Sequence, residues 1–522
     1  MQKVSPIAQW LFPSIKDVLF LAYLFIPLLM GQSGVLNDAD TGWHIRNGDQ
    51  ILQTGQLPTT DSFSYTHAGK TWFAWEWLAD VWLALVHQWM GLNGIVLWAN
   101  LTFALTFTLL FRWILAWKTH LLINLSLVAL ASLASTIHWL ARPHLFSMLF
   151  LLVWQIILNR AQNSEDSRKI LWMLPLLILV WVNLHGAFVI GLVHLLIFTF
   201  GNYLTSLTSS DQGLSNNARR LSWQFAKLTV VCGLASLINP YGWRLYQHII
   251  ESYLQSQFLV DKITEFASPD FHSGGVKFFE AILLICIIML AICRERLTFI
   301  EIGLLIFWIH LSLFSVRHIP LATLVVTPIV ARHLSRFLLL IPNDGAIRRW
   351  IANSVETINR YSQTFLQFES QFKGYLYPSM ALAVAIAICL NQGQLGGRKI
   401  FEFEFNPKLF PVKASSFIQE KQFQGNLFTT DSWGGYMIYR FFPQHKVFFD
   451  GRSDMYGRKL IQDYEDLVKL KYSWNQLLEK YAISWILLPS NYGMATALKE
   501  SNAWQVVYDD QRALIFVRRP QP

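Results

Sequence analysis

Residues 37–77 read NDADTGWHIRNGDQILQTGQLPTTDSFSYTHAGKTWFAWEW, directly after the first long apolar run. The stretch holds Asp38, Asp40, His44, Asp49, Asp61 and Glu76, with Trp43, Trp72, Trp75 and Trp77 set among them. Amphipathic rings between carboxylates suit a loop lying at a membrane surface. A plain connector would need only turn-forming residues. The rest of the chain is read outward from this segment.

The chain has 522 residues, 53% of them hydrophobic and only 14% charged. An average soluble domain carries about 25% charged residues. Twelve apolar runs fall at 17–36, 73–90, 94–117, 121–140, 144–160, 170–184, 187–207, 223–239, 278–293, 297–316, 318–335 and 375–391. Many approach the roughly 20 residues that cross a bilayer. The fold class is a polytopic α-helical membrane protein. The net charge of +9 needs no nucleic acid partner. Lys and Arg gather in cytoplasmic loops and face anionic lipid. Cys232, Cys286, Cys293 and Cys389 all lie in apolar runs, so no structural disulfide is expected in the polar C-terminal part. The run 17–36 lacks a small-residue cleavage site after it and reads as a retained first span.

The 73–90 run is short and contains Glu76, Asp80 and His87. If it lies outside as an interfacial or re-entrant helix, the basic residues sort cleanly. After residue 93, one set of loops and span ends then carries 15 Lys and Arg, while the other carries only Arg142, Arg244, Lys262, Lys277 and Arg317. The positive-inside rule then gives about 11 spans, with the N-terminus cytoplasmic and the C-terminus outside a plasma (inner) membrane. On this scheme residues 1–394 form the membrane domain, with a first external loop at 37–93 and a second at 241–277. Residues 337–374 read as a cytoplasmic amphipathic helix. One face now collects Asp38 and Asp40, Arg142-Pro143-His144, Asn183, His185-Gly186, Asn239-Pro240-Tyr241 and Arg317-His318. Polar groups at membrane depth are costly and face cavities, so one wet outward cavity is expected.

Residues 395–522 read as a soluble α/β domain outside the membrane. The spacing predicts strands at Asn426–Thr430, Lys446–Phe449, Ile483–Leu488, Trp504–Tyr508 and Ala513–Val517. It predicts helices at Tyr436–Phe442, Tyr456–Leu470 and Trp474–Tyr481. That alternation suggests a largely parallel sheet, closed by a hairpin at Asp509-Asp510-Gln511-Arg512.

There is no Walker loop, GxGxxG, HExxH or GxSxG. A cytosolic nucleotide site is therefore not supported. The acidic pair Asp38-Ala39-Asp40 after a first span, followed by many spans and an external domain, resembles the GT-C superfamily of membrane glycosyltransferases. The resemblance implies a sugar taken from a polyprenyl-phosphate carrier on the non-cytoplasmic face. It also implies that a carboxylate of the first external loop acts as base or metal ligand, Asp40 foremost and Asp38 beside it. A divalent cation, Mg or Mn, would be held by that pair. Asp431-Ser432-Trp433-Gly434-Gly435-Tyr436 looks like the acceptor-holding W-W-D-Y-G region of oligosaccharyltransferase catalytic subunits, with Asp450, Arg452 and Asp454 following. Gly434-Gly435 depart from that pattern, standing where an acidic residue would be.

Charge chemistry leads to the same residues. Arginine's planar fork suits phosphate oxygens, which makes Arg142 and Arg317 candidate clamps with His144 and His318 alongside. A carboxylate can deprotonate an attacking hydroxyl or hold a hard cation. Two carboxylates on an extended segment share a face, and like charges raise one pKa. His44, His144, His185 and His318 could serve as ligands or proton carriers. Trp43, His44, His185, Asn239 and Tyr241 would shape the pocket. Asp61, in a Pro-Thr-Thr-Asp-Ser turn, reads as a cap. A flippase for lipid-linked saccharides or a non-catalytic scaffold are the alternatives. The first should show matching broken spans, and the second leaves the first-loop carboxylates without a role.

Overall fold

The structure is a computed structural model, and it describes residues 5–29, 34–251, 258, 262–293, 295–339, 346–369, 371–372 and 374–519. Each apolar run falls mainly on a helix, the first on Ile15–Leu29 and the last on Leu376–Leu390. Among the described residues, seven helices are long and apolar enough to cross a membrane. These and the other helices expose large aliphatic and aromatic side chains, such as Leu176, Phe200, Val230, Ile287 and Ile306. So many exposed apolar side chains suit lipid rather than water. Inside the bundle polar groups are paired: the Trp308 indole N–H donates to His194 Nε2 at 2.9 Å, a bond that ties two helices where water is absent.

The 73–90 run and the 94–117 run join in one element, Trp77–Ala116, broken at Gly91 (φ 60°, ψ −156°). Only glycine takes that backbone conformation without strain. The part before the break packs on the first loop and the C-terminal domain. Gln88 Nε2 donates to Asp49 at 2.9 Å, and His87 Nε2 lies 3.0 Å from the Tyr439 hydroxyl.

The first loop is not irregular. A helix runs from Asp40 to Thr54, ending at Gly55 in the left-handed conformation (φ 66°), whose N–H bonds Ile51 O. The Asp38–Asp40 segment is not the extended one on which two carboxylates would share a face. Asp38 Oδ1 accepts the Asp40 N–H at 2.8 Å just ahead of the helix that Asp40 opens. Gly48 lets this helix touch the next one: a Cβ there would stand 2.0 Å from Asp80 O. The helix then crosses Asp431–Phe441 of the C-terminal domain, backbone on backbone. A Cβ on Gly42 would meet Gly435 O at 2.5 Å, and one on Gly435 would meet Ala39 O at 2.3 Å. These approaches explain why glycines interrupt the Trp433–Tyr436 stretch.

The C-terminal sheet has the order β3-β4-β6-β5, with β3 Asn426–Thr429, β4 Ile483–Pro489, β5 Trp504–Asp509 and β6 Ala513–Arg518. A short ladder of β1 (Gln394–Leu395) and β2 (Arg398–Lys399) precedes it. Only β3 and β4 run parallel, so the expected largely parallel sheet is corrected. The hairpin at residues 509–512 forms as expected, with Asp510 Oδ1 accepting from Arg512 N and Ala513 N. It inserts β6 between β4 and β5, antiparallel to both. The expected strand Lys446–Phe449 does not join this sheet. Val447 bridges Ser64 of the first loop instead, donating to Phe63 O at 3.0 Å and accepting from Tyr65 N at 3.1 Å. First loop and C-terminal domain share one apolar core that includes Trp43, Phe63, Trp72, Phe405, Trp433 and Tyr436. The helix Ala346–Glu369 occupies the segment read as amphipathic.

Candidate active site

Three separate parts of the chain meet at Arg142. The turn before it is pinned to the first loop: Ala141 N donates to Val35 O at 3.0 Å, and Thr41 Oγ1 donates to Ala141 O at 3.0 Å. The guanidinium then reaches Asp38 at 2.9 Å, Asp40 at 3.1 Å and Glu265 at 2.8 Å. Glu265 comes from the 241–277 loop, which is tied to the Arg317 turn by Ser315 Oγ donating to Glu265 O at 2.8 Å and Val316 N donating to Ala267 O at 2.9 Å. Asp38, Asp40 and Arg142, picked from sequence, therefore converge. Glu265 was not picked, because nothing in its surrounding residues marks it.

One cation among three carboxylates leaves excess negative charge. Burial, and then the charges of Asp38 and Glu265 against the pull of Arg142, raise the Asp40 pKa to about 7. Burial would also raise Glu265, but Arg142, His138 and Arg317 together outweigh it and hold that carboxyl well below the usual range. Burial works against the Arg142 charge, and its carboxylates more than offset this. Asp38 and Asp40 each turn an oxygen to Arg142. Among the described residues no group of three or more His, Cys, Asp or Glu is arranged to hold a metal ion. The donor set as arranged does not fit the divalent cation expected on Asp38 and Asp40.

Beyond Arg142 lies a cavity of about 390 Å³ lined largely by apolar groups, including Met148, Ile190, Phe307, Leu311 and Leu321. His144, His185, Arg317 and His318 line the same cavity. His144 Nε2 lies 2.7 Å from His138 O. Arg317 stands over the Phe266 ring at 4.7 Å, and among the described residues it makes no ion pair. Of the two candidate phosphate clamps, Arg142 is held by carboxylates and Arg317 faces the cavity without a carboxylate partner.

A second, more polar pocket adjoins the first. Asp40, Trp43, His44 and Trp72 line it from the first loop, and Gly451, Arg452 and Asp454 line it from the C-terminal domain. Trp75, Glu76 and Arg142 border both spaces. Arg452 is buried, 2.9 Å from Asp61 and 2.6 Å from Asp450, with the Trp72 ring 4.6 Å away. Asp61 also caps its turn, as expected, accepting from Phe63 N and Ser64 N. Asp454 holds His248 at 3.0 Å.

The remaining candidates lie apart from this space. Trp433 and Tyr436 are buried in the domain core, with Trp433 Nε1 donating to Leu409 O at 2.7 Å and the Tyr436 hydroxyl meeting Ser415 Oγ at 3.1 Å. Asp450 points at Arg452 and Tyr456, not at the pocket. Asn239 caps its own turn, accepting from Tyr241 N at 2.8 Å. Tyr241 packs its ring edge on Phe73, centroids 5.2 Å apart. Glu76 and Asp80, four residues apart in a predicted apolar run, were the missed signal: that spacing puts both on one helix face.

No family profile matches the sequence, and no curated protein matches it by sequence. Solved structures match its fold. The archaeal oligosaccharyltransferase AglB from Archaeoglobus fulgidus, in complex with an inhibitory peptide and a dolichol-phosphate, aligns with TM-score 0.55 at 10% identity, covering 97% of this chain and 73% of that one. The Archaeoglobus fulgidus oligosaccharyltransferase in the apo form aligns with TM-score 0.52 at 11% identity, covering 97% and 74%. ArnT from Cupriavidus metallidurans in the apo state aligns with TM-score 0.47 at 13% identity, covering 97% of both chains. The chain is thus a polytopic helical membrane protein with a C-terminal α/β region, and it shares the fold of the two Archaeoglobus fulgidus oligosaccharyltransferase structures.

Proposed function

We propose that this chain is a membrane glycosyltransferase that moves a sugar from a polyprenyl-phosphate carrier to an acceptor on the extracytoplasmic face. The observation that carries this reading is the adjacency of two spaces. An apolar cavity lined also by Arg317 shares Trp75, Glu76 and Arg142 with a pocket bearing Asp40. Lipid tail, phosphate and sugar require those environments in that order. The dolichol-phosphate in the AglB complex supports a carrier of this kind.

In this reading the polyprenyl chain lies along Phe307, Leu311 and Leu321, and Arg317 faces the phosphate. The sugar sits among Trp43, Trp72 and Trp75. The acceptor oxygen attacks the anomeric carbon as Asp40 takes its proton, and Arg142 holds the carboxylate in place. Two further parts belong to the proposal: 11 spans in a plasma (inner) membrane with the N-terminus cytoplasmic, and division at residue 394. The sidedness is supported by the meeting of the first loop, the 241–277 loop and the C-terminal domain at one end of the helices. The test is turnover: the reconstituted protein should release polyprenyl phosphate from one of a panel of polyprenyl-phosphate sugars. No release across hexose, pentose and aminosugar donors, with or without acceptor, would count against it.

A further inference from the structure

The Asp40 mechanism leaves a chain of buried groups unused. Asp80 accepts the Asn47 amide at 2.6 Å and meets His44 Nδ1 at 2.5 Å. His44 Nε2 then faces Glu76 Oε2 at 3.8 Å. The other Glu76 oxygen faces His185 Nε2 at 3.5 Å. His185 Nδ1 meets Ser147 Oγ at 2.8 Å, and Trp181 Nε1 donates to that same oxygen at 2.7 Å.

These partners fix the tautomers. His44 donates its Nδ1 proton to Asp80, which leaves Nε2 as an acceptor toward Glu76. The Ala187 N–H donates to His185 Nδ1 at 3.3 Å, so that nitrogen is an acceptor and takes the Ser147 hydroxyl proton as well. The His185 proton is therefore on Nε2, directed at Glu76. Burial keeps both rings neutral, lowering each histidine's pKa. Glu76 thus faces an acceptor on one oxygen and a donor on the other. At 3.8 and 3.5 Å neither contact is a formed hydrogen bond, so the proton of a neutral carboxyl stays free for a ligand, whereas a carboxylate would find no donor on the His44 side. Burial, and then the Asp80 charge, raise the Glu76 pKa well above its usual value in agreement with this, against the pull of Arg142 and Arg317.

We propose that Glu76 is a second catalytic residue, the acid that donates a proton to the carrier phosphate as the sugar leaves it. This rests on the glycosyltransferase reading. Glu76 borders both the apolar cavity and the Asp40 pocket, where the sugar–phosphate bond would lie. As that bond breaks, its electron pair goes to the bridging phosphate oxygen, which takes the Glu76 proton. The acceptor oxygen bonds the anomeric carbon and gives its proton to Asp40. The net transfer is one sugar from the carrier phosphate to the acceptor; Asp40 ends the step protonated and Glu76 ionised, and proton exchange with solvent restores both. His44, held by Asp80, is a positioning residue that presents an unprotonated Nε2 to Glu76.

The test uses farnesyl phosphate as the probe, bound to the full-length protein across a pH series. Neutral Glu76 donates a hydrogen bond to the phosphate and ionised Glu76 repels it. Wild-type affinity should therefore fall by about tenfold or more as pH rises through the Glu76 titration. Glu76→Gln keeps a donor amide and should lose that extra fall. His44, Asp80, Arg142, His185, Arg317 and Asp454 surround Glu76 in both proteins, and the ligand ionises alike, so the difference reports Glu76. Identical pH profiles would overturn the role of Glu76 while leaving the glycosyltransferase reading intact. Farnesyl phosphate failing to bind wild type at any pH would overturn both. In turnover, Glu76→Gln should lower kcat by about 100-fold at unchanged KM; wild-type kcat would overturn the assignment.

Discussion

Gly451 of the C-terminal domain lies against the carboxylate of Asp40 in the first loop: a Cβ at Gly451 would stand 2.0 Å from Asp40 Oδ1 and 2.8 Å from its Cγ. The two ends of the chain therefore build one site, and the position of the proposed base depends on a residue of the soluble domain having no side chain.

Gly451→Ala should displace the Asp40 carboxylate from Arg142 without unfolding the protein, since Gly451 is not in the left-handed backbone region. A misplacement of roughly 1 Å costs about 100-fold in rate. Turnover of a polyprenyl-phosphate sugar, read beside thermal unfolding, checks this. Wild-type turnover in the variant would show that the contact does not position the base.

The pH dependence follows from the Asp40 value of about 7. Activity should rise with pH through an acidic limb near 7 as Asp40 becomes a base. Asp38→Asn removes a neighbouring negative charge, so the limb should move to lower pH. The stability consequence has the opposite sense to an ordinary salt-bridged carboxylate. The folded value lies above the unfolded one, so folding is penalised as pH rises between them. Asp40→Asn should therefore gain stability over wild type at pH 8 and not at pH 4. A limb unmoved by Asp38→Asn would contradict the coupling.

The two arginines should separate. Arg317→Ala removes a charge-assisted contact to phosphate, a loss of roughly 1.5–3 kcal/mol. It should weaken farnesyl phosphate binding and leave thermal unfolding unchanged. Arg142→Ala leaves Asp38, Asp40 and Glu265 facing one another and should destabilise the protein by about 3–5 kcal/mol, moving the pH limb upward. Wild-type affinity in Arg317→Ala would remove that residue from the donor site.

The sidedness is open to labelling of single cysteines placed in a cysteine-free background. Positions Asn163 and Ser215 should react only from the cytoplasm, and Ser268 and Ser490 only from outside. Outside labelling at Ser215 would contradict the 11-span arrangement.

The helices were legible because each apolar run announces itself, and the convergence of Asp38, Asp40 and Arg142 was legible because all three sit at span ends on one face. What was not legible depended on contacts between distant segments. Val447 looked like a sheet strand by its own residues, yet its partner is Ser64; pairing is a property of two segments, and one of them was in the first loop. The Asp40–Thr54 helix was hidden by its polar, glycine-bearing sequence. Its glycines are there for the close crossings at Asp80 and Gly435. Trp433 and Tyr436 looked like surface recognition residues, but their neighbouring glycines allow that crossing and both rings are buried beneath it. Glu265 carries no local mark at all, and only the fold brings it to Arg142.

The most direct measurement of the central claim is turnover by purified Asp40→Asn, which keeps the shape of the side chain and removes its charge and basicity. The protein should fold, bind farnesyl phosphate as wild type does, and transfer sugar slower by about two orders of magnitude or more. Transfer by Asp40→Asn at near the wild-type rate would contradict the claim that Asp40 is the catalytic base.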